Sequence, residues 1–300
     1  MPDFVCTGIA TLDRVWQLDR LPAGGGKYPS RGYMEVGGGL AANAAVAIAR
    51  LGGRVALHAR VGADMAGDAI IAGLAAEGVD TAAMRRVPGA RSTTAAILVD
   101  AAGERIITAD HDPALSPDAS HLPVGDIAAA RGVLADVRWV EGAEATLKAA
   151  RAAGRPAVLD CEPSRPDVFQ RLCPLATHVI FSAPGLQSYS GSTDPAEGLR
   201  MAHRAFGDVV GVTLGAAGSR FLGDGLDAHV PAPTVAVVDT TGAGDAFHGA
   251  YLYAIAADPD AVLAARFATA VAALKCTRMG GRAGLPTLAE ANAFLEEHMP

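Results

Sequence analysis

Short runs of β-branched and apolar residues alternate with alanine-rich stretches along most of this chain, and that rhythm constrains the fold more than any other feature. β-like runs at 4–9, 54–60, 132–136, 157–160, 178–181 and 209–214 are interleaved with helical stretches at 39–51, 65–77, 141–153 and 195–205. Such alternation predicts βαβ units: an α/β fold, doubly wound, whose mainly parallel sheet carries helices on both faces. Two segments break the rhythm. Residues 13–36 and 92–109 are β-like with no helix inside them, which predicts a small antiparallel β layer, a lid set apart from the main sheet. The last third reads as helical at 245–256, 260–276 and 288–297. With 300 residues and 50% hydrophobic content the chain can bury a large core, and one main domain over 1–300 is expected.

Charge and cysteine usage exclude several roles. The formal charge is −7 and no lysine-arginine cluster stands out, so a duplex-binding surface is not expected. Apolar segments are interrupted well short of the roughly 20 residues that span a bilayer. Cys6, Cys161, Cys173 and Cys276 form no C-x-x-C pair, and the first residues, Met-Pro-Asp-Phe, are neither basic nor followed by a long apolar stretch. These features suit a reduced, cytoplasmic protein without a nucleic-acid or membrane partner.

The chemistry concentrates in Asp239-Thr240-Thr241-Gly242-Ala243-Gly244-Asp245, which joins a valine-rich run at 235–238 to an apolar helical stretch. If the helix starts near Gly244, the free N–H groups of Gly242 to Asp245 point outward with the positive end of the helix dipole behind them. That nest suits a phosphoryl group. A carboxylate inside it needs a reason, and accepting the proton of an attacking hydroxyl supplies one; the competing reading makes Asp245 a helix cap. Upstream, Thr213-Leu214-Gly215-Ala216-Ala217-Gly218 follows a β-like run, where glycine turns cradle nucleotide phosphates in open α/β sheets. No Walker A sequence is present. Gly37-x-Gly39-x-x-Ala42 fits a loose dinucleotide fingerprint, but two β-like segments and Pro22 already precede it, whereas that fingerprint follows the first strand.

The string 239–245 matches D-T-x-G-A-G-D, and Gly38-Gly39-Leu40-Ala41-Ala42-Asn43-Ala44-Ala45, running on to Leu51-Gly52, matches G-G-x-x-x-N-x-A. Two such signatures in this order, roughly two hundred residues apart, resemble those of the ribokinase-like (PfkB) carbohydrate kinases. The resemblance extends from Cys6 to about Pro286. It implies ATP and Mg2+, a β lid over the sugar through which two subunits pack as a homodimer, and a set of site residues. Asp245 would be the catalytic base and Gly242, Ala243 and Gly244 the anion hole. Asp13, Gly38, Gly39 and Asn43 would contact the sugar. Thr213, Gly215, Gly218 and Lys275 would contact the nucleotide.

Several local strings resemble one branch of that family, the bacterial 6-deoxy-6-sulfofructose kinases. They include Gly26-Lys27-Tyr28, Ala135-Asp136-Val137-Arg138-Trp139, Phe181-Ser182-Ala183-Pro184-Gly185-Leu186 and Ala273-Leu274-Lys275-Cys276-Thr277-Arg278. A sulfonate is a permanent anion that must be paired when desolvated, and Lys27 and Arg138 are the cations that the resemblance offers. Just after the lid stretch Gly103-Glu104-Arg105-Ile106-Ile107 the chain departs from that branch. Ala109 stands where the branch has an asparagine, and Asp110, if it faced inward, would repel a sulfonate unless His111 compensates. Fructose 6-phosphate, fructose or another ketose therefore stays open as acceptor, as does a non-catalytic sugar or nucleotide sensor. Ser182 and Gly185 replace the family's N-x-x-E motif, leaving Asp160 or Glu162 to hold Mg2+ through water. Gly280-Gly281-Arg282-Ala283-Gly284 replaces a monovalent-cation pattern, so potassium activation is not expected and Arg282 is a candidate positive charge beside the anion hole. His248 is expected either to touch a ligand or to pack. Trp16 fits a lid strand and Trp139 a loop.

Overall fold

The computed structural model describes residues 1–101 and 104–299; Gly103 of the lid string lies outside them. The first half runs β1 (Phe4–Gly8), β2 (Thr11–Gln17), β3 (Gly32–Gly38), α1 (Leu40–Arg50), β4 (Val55–Gly62), α2 (Met65–Ala76), β5 (Arg85–Val87), β6 (Thr94–Val99) and β7 (Arg105–Asp110). The second half runs α3 (Val124–Ala129), β8 (Gly132–Asp136), α4 (Val140–Ala152), β9 (Ala157–Cys161), α5 (Pro166–Leu172), β10 (His178–Ser182), α6 (Ala183–Ser190), α7 (Pro195–Phe206), β11 (Val209–Thr213), β12 (Ser219–Gly223), β13 (Leu226–Val230), α8 (Ala243–Ile255), α9 (Ala261–Cys276) and α10 (Leu288–His298).

The main sheet has the order β13-β12-β11-β10-β9-β8-β1-β4-β5 and is parallel except for its last two strands, β12 and β13. Strands β8 and β9 are buried on both faces along their whole length, which is why they read as continuous apolar runs. One face packs on α1, α8 and α9 through a core that includes Ile48, Leu57, Phe221, Tyr251 and Val271. The other packs on α4, α5 and α7 around Val133, Leu147, Phe169 and Phe181. Asp136 and Asp160, register partners at the carboxyl ends of β8 and β9, carry carboxylates to the edge where ligands sit in such folds.

The lid is a four-stranded sheet in the order β3-β2-β6-β7. Its outer pairings are antiparallel as expected, but β2 and β6 pair in parallel, because the chain between them passes through α1, β4, α2 and β5. Tyr33, Met34, Val36, Ile106 and Ile107 are exposed on it. The valine-rich run 235–238 forms no strand. It lies against the end of α9, where the carbonyl of Cys276 accepts from both Val238 N (2.8 Å) and Asp239 N (3.1 Å), and Val237 and Val238 face solvent. Helices α3, α5 and α6, with six, seven and eight residues, are too short to show a period, and the sequence pattern does not predict them. Among the described residues no helix is long and apolar enough to cross a membrane.

Candidate active site

Most of the long helices start on a side chain that caps them, as Asp64, Asp194, Asp260 and Thr287 do. Helices α1 and α8 start instead on glycines with positive φ, Gly39 (97°) and Gly242 (73°), and neither has a side-chain cap. A glycine there permits the tight turn and leaves the first N–H groups open. In α8 the preceding loop is closed by Thr241 N on Asp239 Oδ1 (2.9 Å) and Ala243 N on the Thr240 carbonyl (3.2 Å). Gly242, Gly244 and Asp245 thus keep N–H groups without an acceptor among the described residues, whereas the expected anion-hole contribution of Ala243 is corrected: its N–H closes the turn.

Asp245, in the first turn of α8, accepts from Asn43 Nδ2 of α1 at 2.7 Å. Burial pushes its carboxyl up to about 7; the neighbouring Asp160 adds to the rise and the Asn43 bond opposes it. A base of that strength suits proton abstraction near neutral pH. The other end of the Asn43 amide faces Arg282, whose Nε donates to Asn43 Oδ1 (2.8 Å) while Nη2 donates to the Gly38 carbonyl (2.9 Å). Asp13, on β2, accepts from Thr11 Oγ1 at 2.7 Å, and its carboxyl, raised by burial, lies within the field of Arg282. Any side chain at Gly38 would overlap the Asp13 carboxylate, and one at Gly37 the Arg282 guanidinium. Asp13, Gly38, Gly39, Asn43 and Asp245 therefore come together at one corner between β3, α1 and α8.

Two residues that the motifs do not single out hold this corner. Asp136, fully buried, accepts from Ile9 N (2.8 Å) and Ala41 N (3.1 Å) through Oδ2 and from Arg138 N (2.8 Å) through Oδ1, so one carboxylate ties the exits of β1 and β8 to the start of α1. Arg105, on lid strand β7, donates to Thr241 Oγ1 (2.7 Å) and Thr240 Oγ1 (3.2 Å). It fastens the lid to the anion loop across a cleft of about 810 Å³ lined by Glu104, Arg105, Ile107, Glu162, Thr240, Thr241 and Gly242. A carboxyl at a strand end inside an otherwise apolar run was the available signal for Asp136; nothing in the sequence flags Arg105.

Beneath α8, His248 Nδ1 donates to the Gly244 carbonyl (2.8 Å), and its Nε2 lies 3.6 Å from Asp160 Oδ1. Burial raises the Asp160 carboxyl well above its ordinary range and lowers the imidazole, disfavouring the charged form of each. His248 takes the packing role of its two expected ones. Asp160 is sealed in the core, which leaves Glu162, lining the cleft, as the acidic group that fits a hydrated Mg2+. Among the described residues no three His, Cys, Asp or Glu side chains converge as a metal site.

Of the expected nucleotide contacts, Thr213 ends β11 and Gly215 opens the turn to β12 with φ 57°. Gly218 (φ 87°) closes that turn by giving its carbonyl to Leu214 N at 2.7 Å. Lys275 is corrected: it is wholly buried in α9, and its ammonium donates to the Asp239 carbonyl at 2.7 Å, so it holds the anion loop from beneath rather than facing a nucleotide.

The expected pairing of Lys27 with Arg138 is also corrected. Lys27 is exposed in the loop between β2 and β3 and lines neither cavity, whereas Arg138 lines a separate pocket of about 340 Å³. There it is joined by Arg60 and His111. Arg60 lies over the ring of Trp139 (4.6 Å), which is buried in the short loop after Arg138, as expected, immediately before α4. Arg60 also donates through Nη1 to the Ser116 carbonyl (2.7 Å), and its buried Nε has no hydrogen-bond partner among the described residues. Asp110 turns to Arg91 (3.2 Å), so the carboxylate expected to repel an anion is drawn away from the pocket while His111 enters it.

A carboxylate base beside an open helix N-terminus, on the carboxyl edge of a doubly wound sheet and under a β lid, defines a phosphoryl-transfer enzyme of the ribokinase-like class. The chain belongs to the pfkB family of carbohydrate kinases, whose family model matches residues 1–288. It is 28% identical to ribokinase of Bacillus subtilis (strain 168), with 98% of this chain and 100% of that one covered. It is 33% identical to fructokinase of Klebsiella pneumoniae, over 91% and 96%. Among solved structures, fructokinase with bound ATP from Xylella fastidiosa superposes with a TM-score of 0.84 at 27% identity, covering 99% of each chain.

Proposed function

We propose that this protein transfers the γ-phosphoryl group of ATP to the 1-hydroxyl of a ketose carrying an anionic group at its far end, with 6-deoxy-6-sulfofructose as the acceptor. The observation that carries the kinase chemistry is the Asn43–Asp245 bond beside the free N–H groups of Gly242, Gly244 and Asp245. Asp245, near its midpoint at neutral pH, takes the hydroxyl proton, and the N–H groups stabilise charge on the transferring group without reorganising. Mg2+, held through Glu162 and water, would offset phosphate charge. Asp13 and the Gly38-Gly39 corner orient the sugar hydroxyls.

The acceptor assignment rests on the pocket of Arg60, Arg138 and His111. Glu141 and Asp167 share its lining but are paired there with Arg171 and Arg165, so the pocket stays cationic and fits an anionic group; the choice of a sulfonate over the phosphate of fructose 6-phosphate rests on the strings that resemble the sulfofructose kinases. The ribokinase and fructokinase relatives keep neutral sugars as the competing acceptors. The exposed apolar residues of the lid support a homodimer packed lid to lid, and four free cysteines support a cytoplasmic setting.

The test is ATP consumption with Mg2+ against 6-deoxy-6-sulfofructose, fructose 6-phosphate, fructose and ribose. A preference of at least about a hundredfold in kcat/KM, near 2.7 kcal/mol, is expected for the sulfonate. Arg138→Ala is expected to lower kcat/KM about tenfold or more for the sulfonate and to leave fructose turnover within about twofold. A neutral or phosphorylated sugar turned over best would overturn the acceptor assignment and leave the kinase chemistry standing.

A further inference from the structure

Arginine carries no acceptor and keeps its charge at every working pH, so a group that hydrogen-bonds it must turn an acceptor toward it. Arg282 lies in the loop between α9 and α10, only 9% exposed, with Nε on Asn43 Oδ1 and Nη2 on the Gly38 carbonyl. An asparagine amide has two ends. With its oxygen claimed by Arg282, Asn43 must turn its NH2 group toward Asp245, where a donor 2.7 Å from Oδ2 favours the ionised carboxylate. Reversed, the amide would aim its oxygen at the carboxylate and favour the protonated form. We propose that Arg282 is a positioning residue for the base: by fixing the direction of the Asn43 amide it keeps Asp245 ionised and ready to accept the acceptor's proton.

The geometry explains why the guanidinium does not touch Asp245 itself. A direct ion pair would drive the carboxyl down and leave a poor base; interposing a neutral amide passes on the orientation while holding the charge one residue away. The corner is shaped around this arrangement, since a side chain at Gly37 would occupy the space of the guanidinium. Other groups act on Asp245 as well. Asp160 and Glu162, at and just beyond the end of β9, raise its pKa, His248 within α8 lowers it, and Asp13 on β2 balances the charge of Arg282. None of them dictates which end of Asn43 faces the base.

The inference rests on reading Asp245 as the base, so its test includes a readout without turnover. The Asp245 titration midpoint, followed by NMR of protein labelled at the aspartate carboxyl carbons and assigned with Asp245→Asn, is expected to rise by about one unit in Arg282→Met. In the kinase assay, the same shift from about 7 lowers kcat about ninefold at pH 6 and hardly at all at pH 9. Arg282→Lys, whose single ammonium cannot hold both oxygens, should move the midpoint in the same direction by less; it decides the matter if the methionine variant does not fold. An unmoved midpoint, or a loss of kcat equal at pH 6 and pH 9, would overturn the proposal. A shifted midpoint in a protein that phosphorylates no sugar would instead overturn the assignment of Asp245 as the kinase base.

Discussion

Asp245→Asn is expected to lower kcat by about two to four orders of magnitude while leaving KM for ATP within a few-fold, because the amide keeps the shape of the site but cannot take a proton. In the unmodified protein the acid limb of the kcat profile should fall through about pH 7, where burial has placed the carboxyl. Stability moves the opposite way to activity. A carboxyl whose folded pKa lies above its unfolded value binds more protons folded than unfolded between about 4 and 7, so its contribution is most favourable below that window and is lost as pH rises through it. Above pH 7 the ionised Asp245 then opposes folding, by roughly 1–4 kcal/mol. The asparagine variant is accordingly expected to melt at a higher temperature than the parent at pH 8, by less at pH 5, and to differ little at pH 4. Unchanged turnover, measured with the acceptor that proves best, would exclude the assigned chemistry; a lower melting temperature at pH 8 would show that the carboxylate is held by interactions other than those seen.

Gly249→Val should impair both folding and turnover. Gly249 lies on α8 where that helix crosses α1, and a Cβ there would come within 2.5 Å of the Ala44 carbonyl oxygen and 3.1 Å of the Ala47 Cβ. Since the nearest atom is backbone, the helices must separate, and overpacking of this kind typically costs about 1–3 kcal/mol. Asn43 is the immediate neighbour of Ala44, and Asp245 lies one turn before Gly249, so separation lengthens the 2.7 Å Asn43–Asp245 bond first. We expect a melting point several degrees lower together with a fall in kcat of tenfold or more, the latter measured below the transition. Gly125→Ala, at a glycine with open space around its missing Cβ, is the control and should change neither.

The elements legible in the sequence were those whose pattern is dictated by burial on both sides. Strands such as β8 and helices such as α1 and α9 appear within a residue or two of their expected bounds, because an uninterrupted apolar run or an alanine-rich amphipathic stretch has few alternatives in a parallel sheet. Val235 to Val238 form no strand for a complementary reason: β-branched composition favours extension, but a ladder also needs a neighbouring strand, and the run instead meets the carbonyl of Cys276 at the end of α9. In the site, glycine turns and the carboxylate of Asp245 were legible since only a few residue types tolerate those backbone positions or carry that chemistry. Side chains acting across long sequence separations were not. Lys275 shows the limit: its spacing carries no information about whether its ammonium meets solvent, a nucleotide or, as here, the carbonyl of Asp239. The orientation of Asp110 toward Arg91 likewise depends on the pairing of β6 with β7, which no local pattern reveals.

The two bonds from Arg105 to Thr240 and Thr241 belong at once to the position of the lid and to the order of the anion loop. Their free energy therefore enters both equilibria, and whatever an acceptor gains by drawing β7 down is returned, by reciprocity of linkage, as a tighter hold of the loop on the phosphoryl donor. The two substrates of such an enzyme need not meet to sense one another.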